Sequence, residues 1–177
     1  MNIIETGISG LLVIEPKVFG DSRGYFLESW NKAVFENNGI NFIPVQQNES
    51  SSCYGVIRGL HYQIEPFAQA KLVRALVGEV LDVAVDLRKD SPTFGKHFSV
   101  ILSAENKKQF FIPKGFAHGF SVLSEKAVFS YLCDNLYNPA SERGIKYNDE
   151  TLKIDWQIPK NKEIVSEKDK NNNNFVW

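Results

Sequence analysis

The longest regular pattern in the chain is an alternation of apolar and polar residues between positions 71 and 88. It is interrupted by a Gly-Glu pair at 78–79. After that break the residues fall into two alternating sets, Leu81, Val83, Val85 and Leu87 against Asp82, Ala84 and Asp86. A period of two predicts a β-strand with one apolar face. Before the break, Lys71 shares one face of a similar strand with Val73 and Ala75.

Four further apolar stretches have the length of strands, at residues 98–102, 109–113, 119–123 and 127–133. Turn-forming residues separate them at 91–95, 113–115 and 124–126. Many short strands at this spacing indicate a sandwich or a barrel, so the chain is predicted to be mainly all-β. One helix is predicted near residues 30–38, with Ser29 as its N-cap and Gly39 after its end.

The size and composition of the chain fit one domain. Its 177 residues, of which 43% are apolar and 23% charged, suit a single core that spans residues 1–177. The only low-complexity stretch is KDKNNNN at residues 168–174. Because such polar sequence buries little apolar surface, we expect a flexible Asn-rich C-terminal tail from about residue 170.

Charge and targeting signals narrow the functional class. The formal net charge of −1 gives no basic excess for nucleic acid or an anionic membrane. The N-terminus lacks a signal segment, and no stretch approaches the roughly 18 apolar residues that span a bilayer. Cys53 and Cys133 are too few for a disulfide framework or a zinc site. We therefore expect a cytoplasmic protein that binds neither nucleic acid nor a membrane.

Two residues on successive predicted strands have side chains of a type that can take part in catalysis. His61 lies in the motif VIRGLHYQ, and Lys71 opens the next strand. A histidine in a strand is more often structural, and a lysine at the end of a strand is often only solvated. The functional alternative is an imidazole base beside an ammonium that stabilises an oxyanion. The chain has three histidines, His61, His97 and His118, and no His-x-His pair, so a metal site is not expected.

Other polar and aromatic residues also allow both a structural and a functional interpretation. Arg23 is either an exposed turn residue or, with Arg58, a phosphate ligand, since arginine offers a planar donor fork. His118 is either a core histidine or a residue beside a glycine that lets a ligand approach. Tyr131 lies in an apolar strand, where a tyrosine usually belongs to the core. The remaining candidates are ordinary turn or surface residues on their own: Gln46, Asn48, Tyr137 and Glu142.

Taken in order along the chain, the motifs resemble those of the dTDP-4-dehydrorhamnose 3,5-epimerases, a family of cupin-like sugar-nucleotide epimerases. The motifs are FGDSRGYF, QQN, VIRGLHYQ, KLVRALVGEVLDVAVDLR, SPTFG, IPKGFAHGF, YNPASERG and the terminal SEKD. The resemblance implies a mainly all-β fold, a cupin-like jelly-roll β-sandwich or barrel with a few short helices. It also implies a homodimer that works without a cofactor or a metal.

The activity implied by the resemblance is the 3,5-epimerisation of dTDP-4-dehydro-6-deoxy-D-glucose to dTDP-4-dehydro-L-rhamnose, a step of dTDP-L-rhamnose biosynthesis. His61 would be the base and Tyr131 the acid, with Lys71 as the oxyanion partner. Asp169 would orient His61, which requires the polar tail to fold back. Arg23 and Arg58 would hold the diphosphate, with Arg23 and Glu28 supplied by a second chain. The other implied substrate contacts are Phe26, Glu28, Gln46, Asn48, His118, Tyr137, Glu142 and Lys168, with Phe26 and Tyr137 stacking on thymine.

Two alternatives to double epimerisation stay open. One is a mono-epimerase on a related 4-keto-6-deoxy nucleotide sugar, since such enzymes share these motifs. The other is a non-catalytic sugar-binding cupin, although such a protein has no need for a base, an acid and an oxyanion partner together. A 3,4-ketoisomerase is not supported by the VIRGLHYQ motif and Lys71.

The implied site also sets a geometrical condition on one strand. Arg58 and His61 are three residues apart, and in a regular strand their side chains point to opposite faces. Both can reach one pocket only if Gly59 forms a bulge or the strand twists there.

Overall fold

The computed structural model describes residues 1–176, and most of their regular structure is β. In chain order the strands are β1 (Asn2–Glu5), β2 (Leu12–Glu15), β3 (Val18–Asp21), β4 (Gly24–Leu27), β5 (Gln46–Cys53), β6 (Val56–Gln63), β7 (Lys71–Val77), β8 (Glu79–Asp86), β9 (His97–Ser103), β10 (Gln109–Ile112), β11 (Phe116–Val122), β12 (Lys126–Cys133), β13 (Glu142–Gly144) and β14 (Ile164–Val165). The helices are α1 (Lys32–Asn37), α2 (Glu167–Lys170) and a single 3-10 turn (Lys160–Lys162). Across residues 1–176, no helix has the length and apolar character needed to cross a membrane.

The strands form two facing sheets and a separate hairpin. The first sheet has the order β1-β2-β10-β7-β12-β5, and the second has the order β13-β6-β11-β8-β9. β14 adds to the second sheet in parallel with β6, and β3 and β4 form the hairpin. Each strand predicted between residues 71 and 133 is present. The predicted fold class, a mainly all-β cupin-like jelly-roll sandwich, is confirmed.

Both faces of β8 are buried, which differs from the prediction of a single apolar face. Val80 and Ala84 point into the core between the two sheets. Leu81 and Val83 point outward, but the C-terminal part of the chain packs over them and forms a second core. Asp82 alternates with these outward residues, so it is an interior carboxylate and not a solvated one.

The N-cap of helix α1 lies two residues after the predicted one. Asn31 is the N-cap, and its Oδ1 accepts a hydrogen bond from the Val34 N–H at 3.2 Å. The assignment of Ser29 was therefore wrong. Asparagine and serine are comparable caps, so capping preference alone does not select between them, and the helix that Asn31 caps buries Phe35 completely. Gly39 follows the helix with a φ of 75°, as predicted.

The Asn-rich end differs from the flexible tail expected from about residue 170. The Asn173 carbonyl accepts a hydrogen bond from the Lys146 N–H at 2.9 Å. Phe175 is 8% exposed and belongs to the core outside the second sheet. Composition averaged over this segment hides the contribution of Phe175, an aromatic residue that docks it.

Candidate active site

A cavity of about 540 Å³ opens between the two sheets, beside the C-terminal segment. Its volume lies in the range of sites that bind small ligands. The candidate residues that line it are Arg58, His61, Lys71, His118, Tyr131, Lys168 and Asp169.

A bulge at Gly59 brings Arg58 and His61 into the same cavity. In the ladder between β6 and β11, His61 lies opposite His118 and Arg58 opposite Phe120, so β6 has one more residue than β11 over this interval. Gly59 has a φ of +131°, and a Cβ there would lie 2.6 Å from the backbone of β11. The extra residue reverses the alternation of side chains, so the bulge required by the sequence is present.

His61 and Asp169 form a hydrogen-bonded pair, with 2.6 Å between Nε2 and Oδ1. Asp169 is 3% exposed, and its Oδ2 accepts a hydrogen bond from the Gly59 N–H at 3.3 Å. Burial raises the pKa of this carboxyl, but the hydrogen bonds from His61 and Gly59 outweigh it and keep the pKa below its usual value. An ionised carboxylate only accepts hydrogen bonds, so a neutral His61 donates through Nε2 and keeps Nδ1 as an acceptor.

Lys71 and Tyr131 line the cavity from the first sheet, which faces the sheet of His61. They lie on the adjacent strands β7 and β12, with the Lys71 ammonium 5.8 Å from the centre of the Tyr131 ring. Desolvation lowers the pKa of Lys71 and raises the pKa of Tyr131. A phenol with a raised pKa keeps its proton at neutral pH, and an ammonium in a pocket can stabilise an oxyanion.

Asp82 is a buried site residue that the sequence interpretation missed. It is 0% exposed, and its two carboxylate oxygens lie 2.9 and 3.0 Å from Nε2 of His118. Burial raises the pKa of Asp82, while His118 and Lys71 oppose that rise. The available signal is the polar side of the alternation in β8, because a carboxylate in such an apolar strand needs a partner when buried.

A hydrogen-bonded group of polar residues lies beside the cavity. Glu142 accepts hydrogen bonds from the Tyr137 hydroxyl at 2.9 Å and from the Lys168 ammonium at 2.6 Å. Gln46 accepts from the Tyr137 N–H at 2.8 Å and donates to Asn48 at 3.0 Å. Burial raises the pKa of Glu142, but the hydrogen bonds from Lys168 and Tyr137 hold it below its usual value. This group therefore presents an ionised carboxylate, a cation and an aromatic ring together.

Three candidates lie away from the cavity of their own chain. Arg23, Phe26 and Glu28 belong to the β3–β4 hairpin and the residue after it. The side chain of Arg23 is 88% exposed and is paired with Asp21 at 2.6 Å. Phe26 is 68% exposed, and Glu28 contacts Asn31 at 3.1 Å. The structure does not bring these three together with His61.

Histidine, cysteine and acidic side chains do not converge in threes or more, as a metal site would require, anywhere in residues 1–176. His97 lies on β9, away from the residues that line the cavity. Burial lowers its pKa.

The chain is similar over nearly its whole length to known sugar-nucleotide epimerases. Residues 5–176 match the family model described as dTDP-4-dehydrorhamnose 3,5-epimerase. A protein of that name from Shigella flexneri is 56% identical over 177 residues, covering 99% of this chain and 97% of that protein. The crystal structure of dTDP-6-deoxy-D-glucose-3,5-epimerase from Legionella pneumophila in complex with dTDP-4-keto-L-rhamnose is 52% identical, with a TM-score of 0.94 and coverage of 98% and 92%.

A more distant solved structure is that of a 3'-monoepimerase from Streptomyces bikiniensis in complex with dTDP-quinovose. It is 32% identical, with a TM-score of 0.88 and coverage of 97% of this chain and 86% of that chain. The family match spans the motifs that first indicated the resemblance, and the relatives at 50% identity or more carry the same family name. The chain therefore belongs to the dTDP-4-dehydrorhamnose 3,5-epimerase family.

Proposed function

We propose that this protein converts dTDP-4-dehydro-6-deoxy-D-glucose to dTDP-4-dehydro-L-rhamnose by inverting C5 and C3. Family membership supports the substrate class. The single observation that carries the chemistry is the placement of a histidine–carboxylate pair and a tyrosine–lysine pair on opposite walls of one cavity. Inversion moves protons at two faces of a sugar ring, so it needs proton-transfer groups on both sides of the ligand.

The C4 ketone makes this reaction accessible to ordinary side chains. A base takes the hydrogen from C5 or C3 as a proton, and the electrons of that C–H bond form an enolate with its charge on the C4 oxygen. An acid on the other side then donates a proton to the carbon, which restores the ketone and inverts the centre. The substrate and the product have the same oxidation state, so no redox cofactor is needed. Because Lys71 supplies a positive charge for the C4 oxygen, we propose that the enzyme uses no cofactor and no metal.

His61 is the base in this proposal, and Asp169 is its orienting partner. The contact of 2.6 Å through Nε2 favours the tautomer in which Nδ1 is free to accept a proton. When His61 becomes an imidazolium, the Asp169 carboxylate stabilises the new charge. A general base of this kind commonly contributes about 10²–10⁴-fold to the rate.

Tyr131 is the acid, and Lys71 stabilises the C4 oxyanion. Burial keeps the Tyr131 phenol protonated, so that it can donate to the carbanion from the side opposite His61. A single well-placed donor to an oxyanion contributes about 3–4 kcal/mol. Lys71 and His118 both line the same cavity, so His118 is proposed to contact the sugar there.

The rest of the nucleotide sugar is assigned to residues around the cavity mouth. Arg58 is proposed to bind the diphosphate, as a planar donor fork suits phosphate oxygens. Tyr137 is 52% exposed and donates to Glu142, which also accepts from the cavity residue Lys168, so its ring is proposed to stack on thymine. The remaining proposed contacts are Gln46, Asn48, Glu142 and Lys168.

We infer that the enzyme is a homodimer in which the β3–β4 hairpin completes the site of the partner. The hairpin exposes apolar surface that a second chain can cover, including Phe19 at 52% and Tyr25 at 61%. It also carries Arg23 and Phe26, with Glu28 directly after it, all remote from the cavity of their own chain. In the cavity of the partner, Arg23 would contact the diphosphate, Phe26 the thymine and Glu28 another part of the substrate.

Cys53 and Cys133 are free thiols, which supports a cytoplasmic location.

The decisive experiment is incubation with dTDP-4-dehydro-6-deoxy-D-glucose in heavy water, followed by NMR. Double epimerisation predicts deuterium at both C3 and C5 and the formation of dTDP-4-dehydro-L-rhamnose. Deuterium at one carbon, with one centre inverted, would assign a mono-epimerase, as in the relative with 32% identity. The absence of deuterium uptake would support the alternative of a non-catalytic sugar-binding protein. The identities of 56% and 52% to 3,5-epimerases favour the first outcome.

A further inference from the structure

The turn that carries Asp169 is too short to hold its own position. Helix α2 is four residues long, and its Ser166 cap accepts a hydrogen bond from the Asp169 N–H at 3.1 Å. A helix of this length is unstable in isolation. On its N-terminal side the pairing of β14 with β6 supports it. Apart from the hydrogen bonds that Lys168 and Asp169 themselves make, support on its other side comes from the residues that follow.

Asn173 and Phe175 both attach the residues after α2 to the body of the protein. The Asn173 carbonyl accepts a hydrogen bond from the Lys146 N–H at 2.9 Å. Further on, the Phe175 ring is buried, with its centre 5.3 Å from the Phe94 ring. The Phe175 N–H donates to Asp149 Oδ2 at 2.8 Å. Residues 166–176, here called the strap, are therefore held on both sides of Asp169. The pairing of β14 with β6 holds the N-terminal side, and the contacts of Asn173 and Phe175 hold the C-terminal side.

Asp149 is itself fixed, which makes it a firm attachment point. It is 5% exposed, and its Oδ1 accepts hydrogen bonds from the N–H groups of Thr151 at 2.8 Å and Leu152 at 3.0 Å. Burial raises its pKa, but the hydrogen bonds from the backbone, including that of Phe175, keep the pKa below its usual value. A charged acceptor held in this way makes a stronger hydrogen bond than a neutral one.

We propose that Phe175 is a positioning residue, which through its buried ring and its hydrogen bond to Asp149 holds the strap so that Asp169 stays in contact with His61. This role depends on the proposed function, because it matters only if the His61–Asp169 pair is the base. Phe175 does not line the cavity, so it acts on the reaction through α2 and not through the ligand.

The test compares the steady-state turnover of dTDP-4-dehydro-6-deoxy-D-glucose by Phe175→Ala, Phe175→Leu and Val176→Ala. Val176 is the matched control, because it is next in the strap and 80% exposed. We expect kcat to fall by about 10–100-fold in Phe175→Ala, as a displacement of about 1 Å at a catalytic group can cost 10²-fold. Phe175→Leu keeps most of the apolar burial and should recover most of kcat. Val176→Ala should stay within about twofold of the wild type.

A double-mutant cycle distinguishes positioning from a general loss of structure. If Phe175 acts through Asp169, adding Phe175→Ala to Asp169→Asn should lower kcat by no more than about twofold. The same loss in both backgrounds would overturn the proposal. Phe175→Leu is carried through the same cycle, so a poorly folded Phe175→Ala protein does not decide the result.

Amide hydrogen exchange gives a second measurement that does not use the reaction. In Phe175→Ala the amides of residues 166–171 should exchange faster, while those of β6 and β11 keep their protection. Unchanged exchange in the strap, with an unchanged kcat, would overturn the positioning role of Phe175. An inactive wild-type protein would instead contradict the epimerase function, so the two failures are distinguishable.

Discussion

Replacing Gly59 with alanine tests whether the bulge in β6 positions the base. The added methyl group would lie 2.6 Å from the Cα of Gly119 and 2.9 Å from the carbonyl oxygen of His118. Both are backbone atoms that cannot rotate away, so β6 and β11 must separate or the bulge must change shape. Either response displaces the His61 side chain from the cavity that it lines together with Arg58.

Gly24 provides a control that separates backbone strain from crowding. Its φ is +132°, against +131° for Gly59, but a Cβ at Gly24 would meet nothing within 4 Å. Within its own chain Gly24→Ala should therefore cost the strain of an unfavourable φ, about 1–3 kcal/mol, without any crowding. Gly59→Ala should cost a further 1–3 kcal/mol or so for overpacking. For a chain of this size, that difference lowers Tm by about 2–12 °C relative to Gly24→Ala.

Calorimetric unfolding of both variants, and turnover of Gly59→Ala at a temperature where it is folded, complete the test. We expect kcat/KM of Gly59→Ala to fall by about 10²-fold, since the catalytic group is displaced. Equal Tm values for the two variants, together with wild-type turnover of Gly59→Ala, would refute the role assigned to the bulge.

The remaining predictions concern proton transfer, diphosphate binding, metal dependence and acid stability. His61→Asn should abolish both deuterium uptake and product in NMR, whereas Tyr131→Phe should still exchange deuterium but form about 10²–10⁴-fold less inverted product; near-wild-type exchange by His61→Asn would remove the assignment. Arg58→Ala and Arg23→Ala should each weaken dTDP binding in calorimetry, and unchanged affinity in both variants would contradict their assignment to the diphosphate. Light scattering should give a dimer, and a monomer would contradict the proposed assembly. Activity should survive exhaustive chelation, and a loss that one divalent metal restores would show that the reaction needs a metal. Burial raises the pKa of Asp86, but hydrogen bonds from Arg88, Ser91 and Thr93 outweigh this and lower the pKa overall. Its stabilising effect is therefore present above the unfolded pKa of about 3.9 and is lost as pH falls further. The difference in unfolding free energy between wild type and Asp86→Asn should shrink below about pH 4 in urea titrations, and a difference that does not change with pH would argue against this sign.

The alternation in β8 predicts a strand but not what covers each of its faces. Periodicity identifies which residues share a side, so Asp82 was correctly separated from Leu81 and Val83. It cannot reveal that the C-terminal segment covers the apolar side or that the polar side faces the core. The pairing of Asp82 with His118 depends on those layers, and it became visible only in the structure.

The contact between His61 and Asp169 joins residues 108 positions apart. No local pattern relates them, and only the resemblance to a family implied the pair. The bulge at Gly59 is an intermediate case. The spacing of Arg58 and His61 predicts that a bulge is needed if both line one cavity, and the register of β6 and β11 shows that it is present. The roles proposed for hairpin residues such as Arg23 would require a second chain, which one sequence does not display.

The two arginines proposed for the diphosphate differ in what already holds them. Arg23 is paired with the Asp21 carboxylate, so its field at a distance is largely cancelled. Arg58 donates to the Ser52 hydroxyl at 3.1 Å, and within residues 1–176 it makes no ion pair with a carboxylate. An approaching diphosphate would therefore be attracted mainly by Arg58 before contact, whereas Arg23 would have to share its guanidinium between Asp21 and the diphosphate. On the proposed assignment, Arg58 would govern how fast the diphosphate is captured and how salt slows that capture, and Arg23 would govern how long the diphosphate stays bound.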